Sequence, residues 1–513
     1  MILNMKNVVK FIIPLILVIA IPLVLFLEKK ENNIQRFDQV TQKVFDQFHP
    51  TGLSIAVVQN GEIIFTKNLG YANSQEMMFL DNKDIFNIAS CTKAFTAAAI
   101  GKLVEDSLLS WDNKVIDYIP DFKLTDDCIT KNLNIKDILS HRSGLSTFDG
   151  DLLWYNTTYT NEEVINRMQY LPIPYDFRTR FGYQNNMFMI AGEIIEEVTG
   201  QSWEHFIRQT FLVPLEMNDT RTSNDQFDGT ENIAYPHFKD SVIGIYDFEA
   251  TKPAASIWSN TRDLSHWVMM WLNNGKWKNQ QILDKNTIRI LQSPQTILPV
   301  SEQRESWGTH FRNYALGWST YDYNGLKIVE HNGGMPGYIS KVAMIPEKNL
   351  GIIILNNGFD VYGNDALFYS IVDIVTEKNT NNWIEYYLSI NEESKLDEQK
   401  FNEERLLTKD TTIKPTSSLK NFVGTYQDKM YGNAQVILEN GTLTLTLLPA
   451  KEIFYSKMEH WNKNTFKIVF KDPFLPYGLV TFEMSDQNKV TGFKIDLPSH
   501  DFHFNNLDFK KIN

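Results

Sequence analysis

The stretch Ile85-Phe-Asn-Ile-Ala-Ser90-Cys-Thr-Lys93 decides the expected fold, because it leads from a short apolar run into a helix that opens at Ser90. A helix to about Leu109 is predicted because apolar residues recur at helical spacing, at Phe95, Ile100, Leu103 and Val104. Residues i and i+3 share a helix face, so the Lys93 amine can reach Ser90 Oγ. The helix N-terminus and burial both lower the pKa of Lys93, which favours a neutral amine able to accept the serine proton.

The Ser-x-x-Lys pattern is weak evidence when it stands alone. Ser417-Ser-Leu-Lys420 matches it too, in a stretch with no helical pattern after it. A serine hydroxyl needs a general base to become a nucleophile, and such help contributes roughly 10²–10⁴ in rate. The motif therefore predicts chemistry only if other groups accompany it.

Two further motifs follow Ser90 along the chain. Tyr183-Gln-Asn185 lies in a polar loop ahead of a helix predicted from about Met187 to Val198. A phenol beside a lysine ammonium is expected to ionise below its usual pKa of about 10 and to relay the proton to the leaving group. His331-Asn-Gly333-Gly334 ends a predicted strand, where paired glycines allow a substrate backbone to approach closely.

In their order and setting, these motifs resemble the serine β-lactamase and penicillin-binding protein superfamily over residues 35 to 380. The resemblance is greatest to the class C β-lactamase-related branch, which includes esterases and D-amino-acid-specific peptidases. Three other stretches are similar to that branch: residues 139–145, 192–200 and 253–264. The C-terminal region is similar to the lipocalin-like β-domain often appended to these hydrolases.

The resemblance implies a role for each residue of the site. Ser90 would be the nucleophile that forms an acyl-enzyme, while Lys93 and Tyr183 would share the general acid–base work. Asn185 would contact the substrate amide or hold Lys93. The backbone N–H groups of Ser90 and Gly334 would form an oxyanion hole. Neither a metal nor another cofactor is implied.

One position departs from the family pattern. Class C β-lactamases carry Lys-Thr-Gly where this chain has His331-Asn-Gly333. A histidine is only partly charged near neutral pH, so His331 is expected to bind a substrate carboxylate less firmly than a lysine would. The expected substrates are therefore D-amino-acid peptides, other amides and esters, with weak action on β-lactams.

The alternation of apolar and polar residues predicts an α+β fold. Residues 53–58 and 63–66 form a hairpin across Asn60-Gly61, and late strands follow at 327–331, 338–345 and 350–355, around a helical subdomain. These strands predict one antiparallel sheet flanked by helices, built from both ends of the catalytic domain at 31–380. A charged linker at 381–414 precedes an all-β, barrel-like domain at 415–513.

Composition and the N-terminus bear on partners and location. The 513 residues carry a net charge of −13, which argues against nucleic acid as a partner. Residues 11–27 are an apolar run after Lys6 and Lys10, so residues 1–30 are predicted to be a single-pass membrane anchor. The catalytic domain would then be extracytoplasmic, in the periplasm or at the cell surface. A cleaved signal peptide is the alternative.

The sequence fits other functions less well than a serine hydrolase of this kind. The chain has no Gly-x-Ser-x-Gly elbow and no His-Glu-x-x-His, which disfavours an α/β-hydrolase and a zinc hydrolase. A catalytically silent, membrane-tethered binding or scaffolding protein stays open. The natural substrate and the oligomeric state also stay open, although four aromatic residues are expected to form walls of the pocket: Trp154, Tyr155, Phe181 and Tyr246.

Overall fold

The computed structural model describes residues 31–239, 241–246, 249–378 and 381–512. The predicted membrane anchor at residues 1–30 lies outside these ranges, and that prediction stays untested. In the ranges described, no helix combines the length and apolarity that a bilayer crossing needs.

The first large unit is built on one nine-stranded antiparallel sheet, whose strand order is β10-β11-β12-β13-β14-β15-β1-β2-β3. Its strands are β1 (Gly52–Gln59), β2 (Glu62–Asn73), β3 (Met78–Phe79), β10 (Thr296–Leu298), β11 (Arg312–Tyr314), β12 (Ser319–Tyr323), β13 (Leu326–Met335), β14 (Tyr338–Ile345) and β15 (Leu350–Asn356). Three small strand pairs lie outside it: β4 (Phe86–Asn87) with β7 (Trp258–Ser259), β5 (His237–Phe238) with β6 (Ser241–Val242), and β8 (Lys276–Trp277) with β9 (Gln280–Gln281).

The predicted hairpin and the late strands come together at the middle of this sheet. Asn60 and Gly61 both take positive φ values, of 53° and 79°, so β1 turns tightly into β2. Strand β1 pairs with β15 on its other side, from Leu53 opposite Asn356 to Gln59 opposite Leu350. The prediction that one sheet is built from both ends of the domain is therefore confirmed.

Helices cover both faces of the sheet. One runs through residues 31–48 (α1), and the others are α2 (Thr92–Glu105), α3 (Asp127–Asn132), α4 (Ile135–Leu139), α5 (Asn161–Arg167), α6 (Asn185–Thr199), α7 (Trp203–Ile207), α8 (Lys252–Ala255), α9 (Thr261–Leu272), α10 (Lys285–Leu291), α11 (Glu302–Ser306), α12 (Val361–Thr376) and α13 (Trp383–Leu406). On one face Phe37 of α1, Phe368 of α12 and Trp383 of α13 share a buried apolar cluster with the strands. Helices α2 to α9 fill the opposite side, where Phe95 of α2 stacks on Trp267 of α9.

The charged segment after the sheet is largely one helix. The apolar residues that helix α13 buries are at its start, where Trp383, Ile384 and Tyr387 pack against the first unit. The rest of the helix is highly charged and mostly exposed, apart from the buried Arg405 near its end, and it leads to the second unit.

The second unit is a closed eight-stranded barrel, which confirms the predicted all-β domain. Its strands are β16 (Gly424–Asp428), β17 (Gly432–Glu439), β18 (Thr442–Leu447), β19 (Tyr455–Asn462), β20 (Thr465–Ile468), β21 (Gly478–Met484), β22 (Val490–Asp496) and β23 (Phe509–Lys511). Closure leaves no unpaired strand edge. Aromatic rings fill the interior, among them Tyr426, Phe466, Phe482 and Phe493.

Candidate active site

A sharp turn between β4 and α2 presents Ser90 to a cleft. Residues Ala89–Cys91 form a single 3₁₀ turn ahead of α2. Ala89 has a left-handed φ of 47°, which is rare for a residue with a side chain, and its N–H donates to Asn87 Oδ1 at 2.7 Å. Pairing of β4 with β7 anchors the chain just before this turn. The strained conformation is therefore held by its surroundings, as is common at functional sites.

The Lys93 amine lies beside the Ser90 hydroxyl, as the helical spacing predicted. Its Nζ is 2.9 Å from Ser90 Oγ, 2.6 Å from Asn185 Oδ1 and 3.1 Å from the carbonyl oxygen of Ala254. Burial disfavours the ammonium and lowers the pKa of Lys93 to about 7. Across the residues described, no carboxylate forms an ion pair with this amine, so it can lose its proton near neutral pH and accept one from Ser90.

A buried carboxyl group stands behind this pair, and the sequence reasoning missed it. Asn185 Nδ2 donates to Asp151 Oδ2 at 2.7 Å, and Trp154 Nε1 donates to Oδ1 of the same carboxyl at 3.0 Å. Burial raises the pKa of Asp151 to about 8. Asn185 therefore connects Lys93 to Asp151. No motif marks Asp151, because its place in the site depends on a contact across 34 positions of sequence.

The Tyr183 hydroxyl hydrogen-bonds to Ser90, but its titration differs from the sequence prediction. The Lys93 amine lies 4.8 Å from the centre of the ring and was expected to lower the pKa of the phenol. Burial dominates instead and raises the pKa of Tyr183 above its usual value. The expectation of an ionised phenol was wrong, and Tyr183 enters any reaction as a neutral phenol that can donate a proton.

His141 holds the Tyr183 loop in place. The backbone N–H of Gln184 donates to His141 Nδ1 at 3.0 Å, and the carbonyl oxygen of His141 accepts from the N–H of Gly182 at 2.9 Å. The imidazole also packs 4.3 Å from the Tyr183 ring, between ring centres. Burial lowers the pKa of His141, so the ring is neutral. The resemblance included this segment but assigned His141 no role.

His331 lines the cleft as an uncharged residue. Its Nε2 lies 2.8 Å from the Tyr314 hydroxyl, and its Nδ1 lies 2.6 Å from the carbonyl oxygen of Asn332. Burial, assisted by the charge of Lys93, lowers the pKa of His331 to about 3. The prediction of a partly charged imidazole was therefore wrong, because both ring nitrogens are engaged by protein groups away from water.

The two glycines after His331 differ in the space around them. A Cβ on Gly333 would lie 2.3 Å from the carbonyl oxygen of Ile88, so only glycine lets β13 lie against the Ser90 turn. A Cβ on Gly334 would meet only Ile339 Cδ1, at 3.5 Å. Gly333 thus serves the packing of the strand, while Gly334 keeps the cleft open beside Ser90.

The cleft is a cavity of about 1160 Å³ that both units line. Ser90, Tyr183 and Asn185 lie on the side of the first unit. Barrel segments 473–476 and 498–502 close the other side. Of the predicted walls, Trp154, Tyr155 and Phe181 line the cavity, whereas Tyr246 stacks on Tyr155 with 6.2 Å between ring centres.

Direct bonds hold the barrel at this position. The Tyr155 hydroxyl donates to Asp472 Oδ2 at 2.5 Å, and His503 Nδ1 lies 2.5 Å from Asp149 Oδ1. The Asp149 carboxylate raises the pKa of His503, so this contact gains strength when the imidazole is charged. The barrel therefore takes part in shaping the cleft, which the sequence could not establish.

The fold and the Ser-x-x-Lys turn facing β13 define the class of serine β-lactamases and penicillin-binding proteins. A family model described as Beta-lactamase matches residues 37–370, well over half of the chain, so the chain belongs to this family. A second model, described as a domain of unknown function (DUF3471), matches residues 408–511 in the barrel unit.

Similar proteins come from distant organisms. The chain is 28% identical over 358 residues to Unguisins hydrolase ungD' of Aspergillus campestris, covering 66% of this chain and 65% of that protein. It is 26% identical over 330 residues to Protein flp of Staphylococcus aureus strain NCTC 8325, covering 63% of each. The matches thus span just under two thirds of these relatives.

Solved structures share the fold across nearly the whole chain. The octameric penicillin-binding protein homologue from Pyrococcus abyssi superposes with a TM-score of 0.59 at 20% identity, covering 93% of this chain and 100% of that one. At this identity the similarity establishes the fold alone.

Proposed function

We propose that this protein is a serine hydrolase that cleaves an amide, peptide or ester bond through an acyl-enzyme on Ser90. The observation that carries the proposal is the 2.9 Å contact between Lys93 Nζ and Ser90 Oγ, made by a buried amine whose pKa is about 7. Such an amine is half neutral near pH 7, where a general base is most effective.

The first step is acylation. The neutral Lys93 amine takes the proton from Ser90 Oγ as this oxygen bonds to the substrate carbonyl carbon. The carbonyl oxygen becomes an oxyanion beside the backbone N–H groups of Ser90 and Gly334, and losing one such donor typically costs about 10²–10³ in rate. Tyr183, a neutral phenol bonded to Ser90, gives its proton to the leaving nitrogen or oxygen and regains one from Lys93.

The second step returns the enzyme to its starting state. A water molecule attacks the acyl carbon as the Lys93 amine takes its proton, the bond between this carbon and Ser90 Oγ breaks, and the proton passes to Oγ while the carboxylic acid leaves. Asn185 keeps the Lys93 amine directed at Ser90, because its Oδ1 accepts from the amine at 2.6 Å.

The choice of substrate follows from the uncharged His331. A lysine at this position would attract the carboxylate of a β-lactam, and a neutral imidazole with both nitrogens engaged does not. We therefore propose peptides with D-amino acids, other amides and esters as substrates, with weak action on β-lactams. One relative is named for hydrolysis of unguisins, which supports hydrolysis as the reaction class.

The location of the activity is part of the proposal. The apolar run at residues 11–27 supports a single-pass anchor with the catalytic domain outside the cytoplasm. No helix of the described ranges offers a second candidate span.

The test incubates the purified protein with a fluorophosphonate and, separately, with penicillin, and measures intact mass. A stoichiometric phosphonate adduct is expected in the wild type and in Ser417→Ala, whose serine belongs to the second Ser-x-x-Lys match. The adduct is expected to be absent from Ser90→Ala and slow to form in Lys93→Ala. A slow or missing penicillin adduct is expected, because His331 is neutral.

Two outcomes decide between the alternatives. If folded wild-type protein forms no adduct with either reagent, the catalytically silent scaffold is the better description. If Ser90→Ala is still labelled, another nucleophile is responsible and the assignment of Ser90 is wrong.

A further inference from the structure

We propose that His503 of the barrel is a positioning residue for the reaction at Ser90. It acts through Asp149 on the active-site loop, defined here as residues 146–151. This inference rests on the proposed hydrolase function, because it names a group outside the catalytic residues that makes their reaction depend on pH. The charged imidazole donates to the Asp149 carboxylate and so holds the loop in the shape that supports Tyr183.

The active-site loop contacts the residues that carry out the chemistry. The backbone N–H of Phe148 donates to the carbonyl oxygen of Tyr183 at 2.8 Å, and the two rings lie 5.5 Å apart between centres. Asp151 Oδ2 accepts from Asn185 Nδ2 at 2.7 Å. A shift of this loop would therefore move both the phenol that donates a proton and the amide that directs the Lys93 amine.

The backbone of the loop is strained on both sides of Asp149. Phe148 and Gly150 have left-handed φ values of 63° and 85°. This conformation is unfavourable for a bulky residue such as Phe148, and it persists only where the surroundings hold it. A Cβ on Gly150 would lie 2.6 Å from Asn186 Nδ2, so the loop lies directly against helix α6. The shape of the loop thus depends on contacts from outside it.

The barrel supplies such contacts from one short turn ahead of its last strand. His503 Nδ1 lies 2.5 Å from Asp149 Oδ1, and Asn506 Nδ2 donates to the same oxygen at 3.1 Å. Phe504 and Leu507, next to these two residues in sequence, are fully buried in the barrel. The turn is therefore anchored in the barrel core, and Asp149 connects this core to the active-site loop.

The contact depends on pH because one partner is an imidazole. The hydrogen bond to Asp149 raises the pKa of His503, and burial opposes this effect. The negative charges that add to the rise are Asp149 and Asp151 on the loop and Asp501 on the barrel. The charged contact is therefore complete below the ordinary imidazole pKa of about 6.5, and it is lost as pH rises through the raised value.

Full activity then needs a neutral Lys93 and a charged His503. The pKa of Lys93 is about 7, so the rate rises with pH around this value. It falls again at higher pH, where His503 loses its proton and the loop is held less firmly. Asp151 is the competing cause of such a fall, because its pKa is about 8 and its charge raises the pKa of Lys93.

A second bond between barrel and first unit provides a matched control. The Tyr159 hydroxyl donates to the carbonyl oxygen of Tyr431 at 2.6 Å. Tyr159 precedes helix α5 and lies outside the active-site loop. Tyr159→Phe therefore removes one bond that holds the barrel, without touching the contact between His503 and Asp149.

The test measures the rate at which a fluorophosphonate reacts with Ser90 in the full-length protein, between about pH 5 and pH 10. The wild type is expected to show both an acidic and a basic limb. His503→Asn and Asp149→Asn should lose the basic limb and react about 3- to 10-fold more slowly below it, because a charge-assisted hydrogen bond is lost. The double variant should be no slower than either single variant, since both remove the same contact. Tyr159→Phe should keep both limbs.

Several results would overturn the inference. A wild-type profile without a basic limb, or an unchanged basic limb in His503→Asn, would show that this imidazole does not control the loop. A basic limb that is absent from Asp151→Asn but present in His503→Asn would assign the titration to Asp151. Equal slowing of His503→Asn and Tyr159→Phe, with unchanged profiles, would show that the contact only stabilises the fold.

Hydrogen exchange covers failure of the proposed function. At a fixed pH of about 6.5, where the imidazole is charged, peptides from residues 146–151 should exchange faster in His503→Asn than in the wild type. Their exchange in Tyr159→Phe should match the wild type. If the wild type does not react with a fluorophosphonate but this difference is present, the hydrolase proposal fails and the coupling of the barrel to the loop stands. Equal exchange in all three proteins would reject the coupling.

Discussion

Replacing Asp151 with asparagine should leave the acidic limb of the activity profile near pH 7. Catalysis by the proposed route needs a neutral Lys93, so activity is full above the pKa of this amine and is lost as pH falls through it. Burial lowers the pKa of Lys93 to about 7 and raises the pKa of Asp151 to about 8. The Asp151 carboxyl is therefore protonated where Lys93 titrates, and asparagine replaces one neutral group with another.

The distances give the size of the shift that an ionised Asp151 would cause. The Asn185 amide joins Lys93 and Asp151 through hydrogen bonds of 2.6 and 2.7 Å. Two unit charges at these positions would be about 7 Å apart, where they interact by about 2 kcal/mol at an effective dielectric constant of about 20. This energy corresponds to about one to two pH units, so removing an ionised carboxylate would move the limb from near pH 7 to about 5.5. Removing a protonated carboxyl should move the limb much less.

The assay follows kcat/KM for a neutral ester between pH 4 and 9. Trp154→Phe is the matched control, because it removes the other hydrogen bond to Asp151 and keeps the carboxyl group. The rates of both variants can change, but their acidic limbs should stay near pH 7. An acidic limb near pH 5.5 in Asp151→Asn would refute a protonated Asp151, and a wild-type profile with no acidic limb near pH 7 would refute the assignment of Lys93 as the base.

Two further predictions concern strand β13. Gly333→Ala should lower the melting temperature and abolish acylation, because its Cβ would lie 2.3 Å from the Ile88 carbonyl oxygen. Gly334→Ala should fold normally and only slow acylation. Equal melting temperatures of the two variants would contradict this difference. Wild-type stability should fall with acid more steeply than that of His331→Asn, measured by denaturant unfolding. The folded-state pKa of His331 is about 3 and the unfolded value about 6.5, so the stabilisation present above pH 6.5, up to about 5 kcal/mol, is lost as pH falls towards 3. Parallel curves for the two proteins would show that His331 is not buried in its neutral form.

Local features of the chain were predictable because neighbours in sequence determine them. The contact between Ser90 and Lys93 follows from one helical turn, and the β1–β2 hairpin follows from Asn60-Gly61. Alternating apolar residues after 415 predicted the barrel domain, whose closure was confirmed. Tyr183, Asn185, His331 and Gly334 were placed through the resemblance, and the structure brings all four to the cleft.

The ionisation states of these same groups depended on the tertiary structure. A pKa is set by exclusion of water and by charges close in space, and the sequence specifies neither. The sequence therefore misjudged Tyr183, whose pKa rises, and His331, whose ring is neutral.

The outer parts of the cleft were also beyond the sequence. Asp151 reaches Asn185 across 34 positions, and the barrel contact between Tyr155 and Asp472 spans 317. Such contacts arise only when helices, sheet and barrel pack together, because no periodic pattern records which distant segments will meet. The sequence by itself determined the contact between Ser90 and Lys93 and the two folded units. Packing decided how these two side chains are charged, which residues support them and which segments surround the cleft.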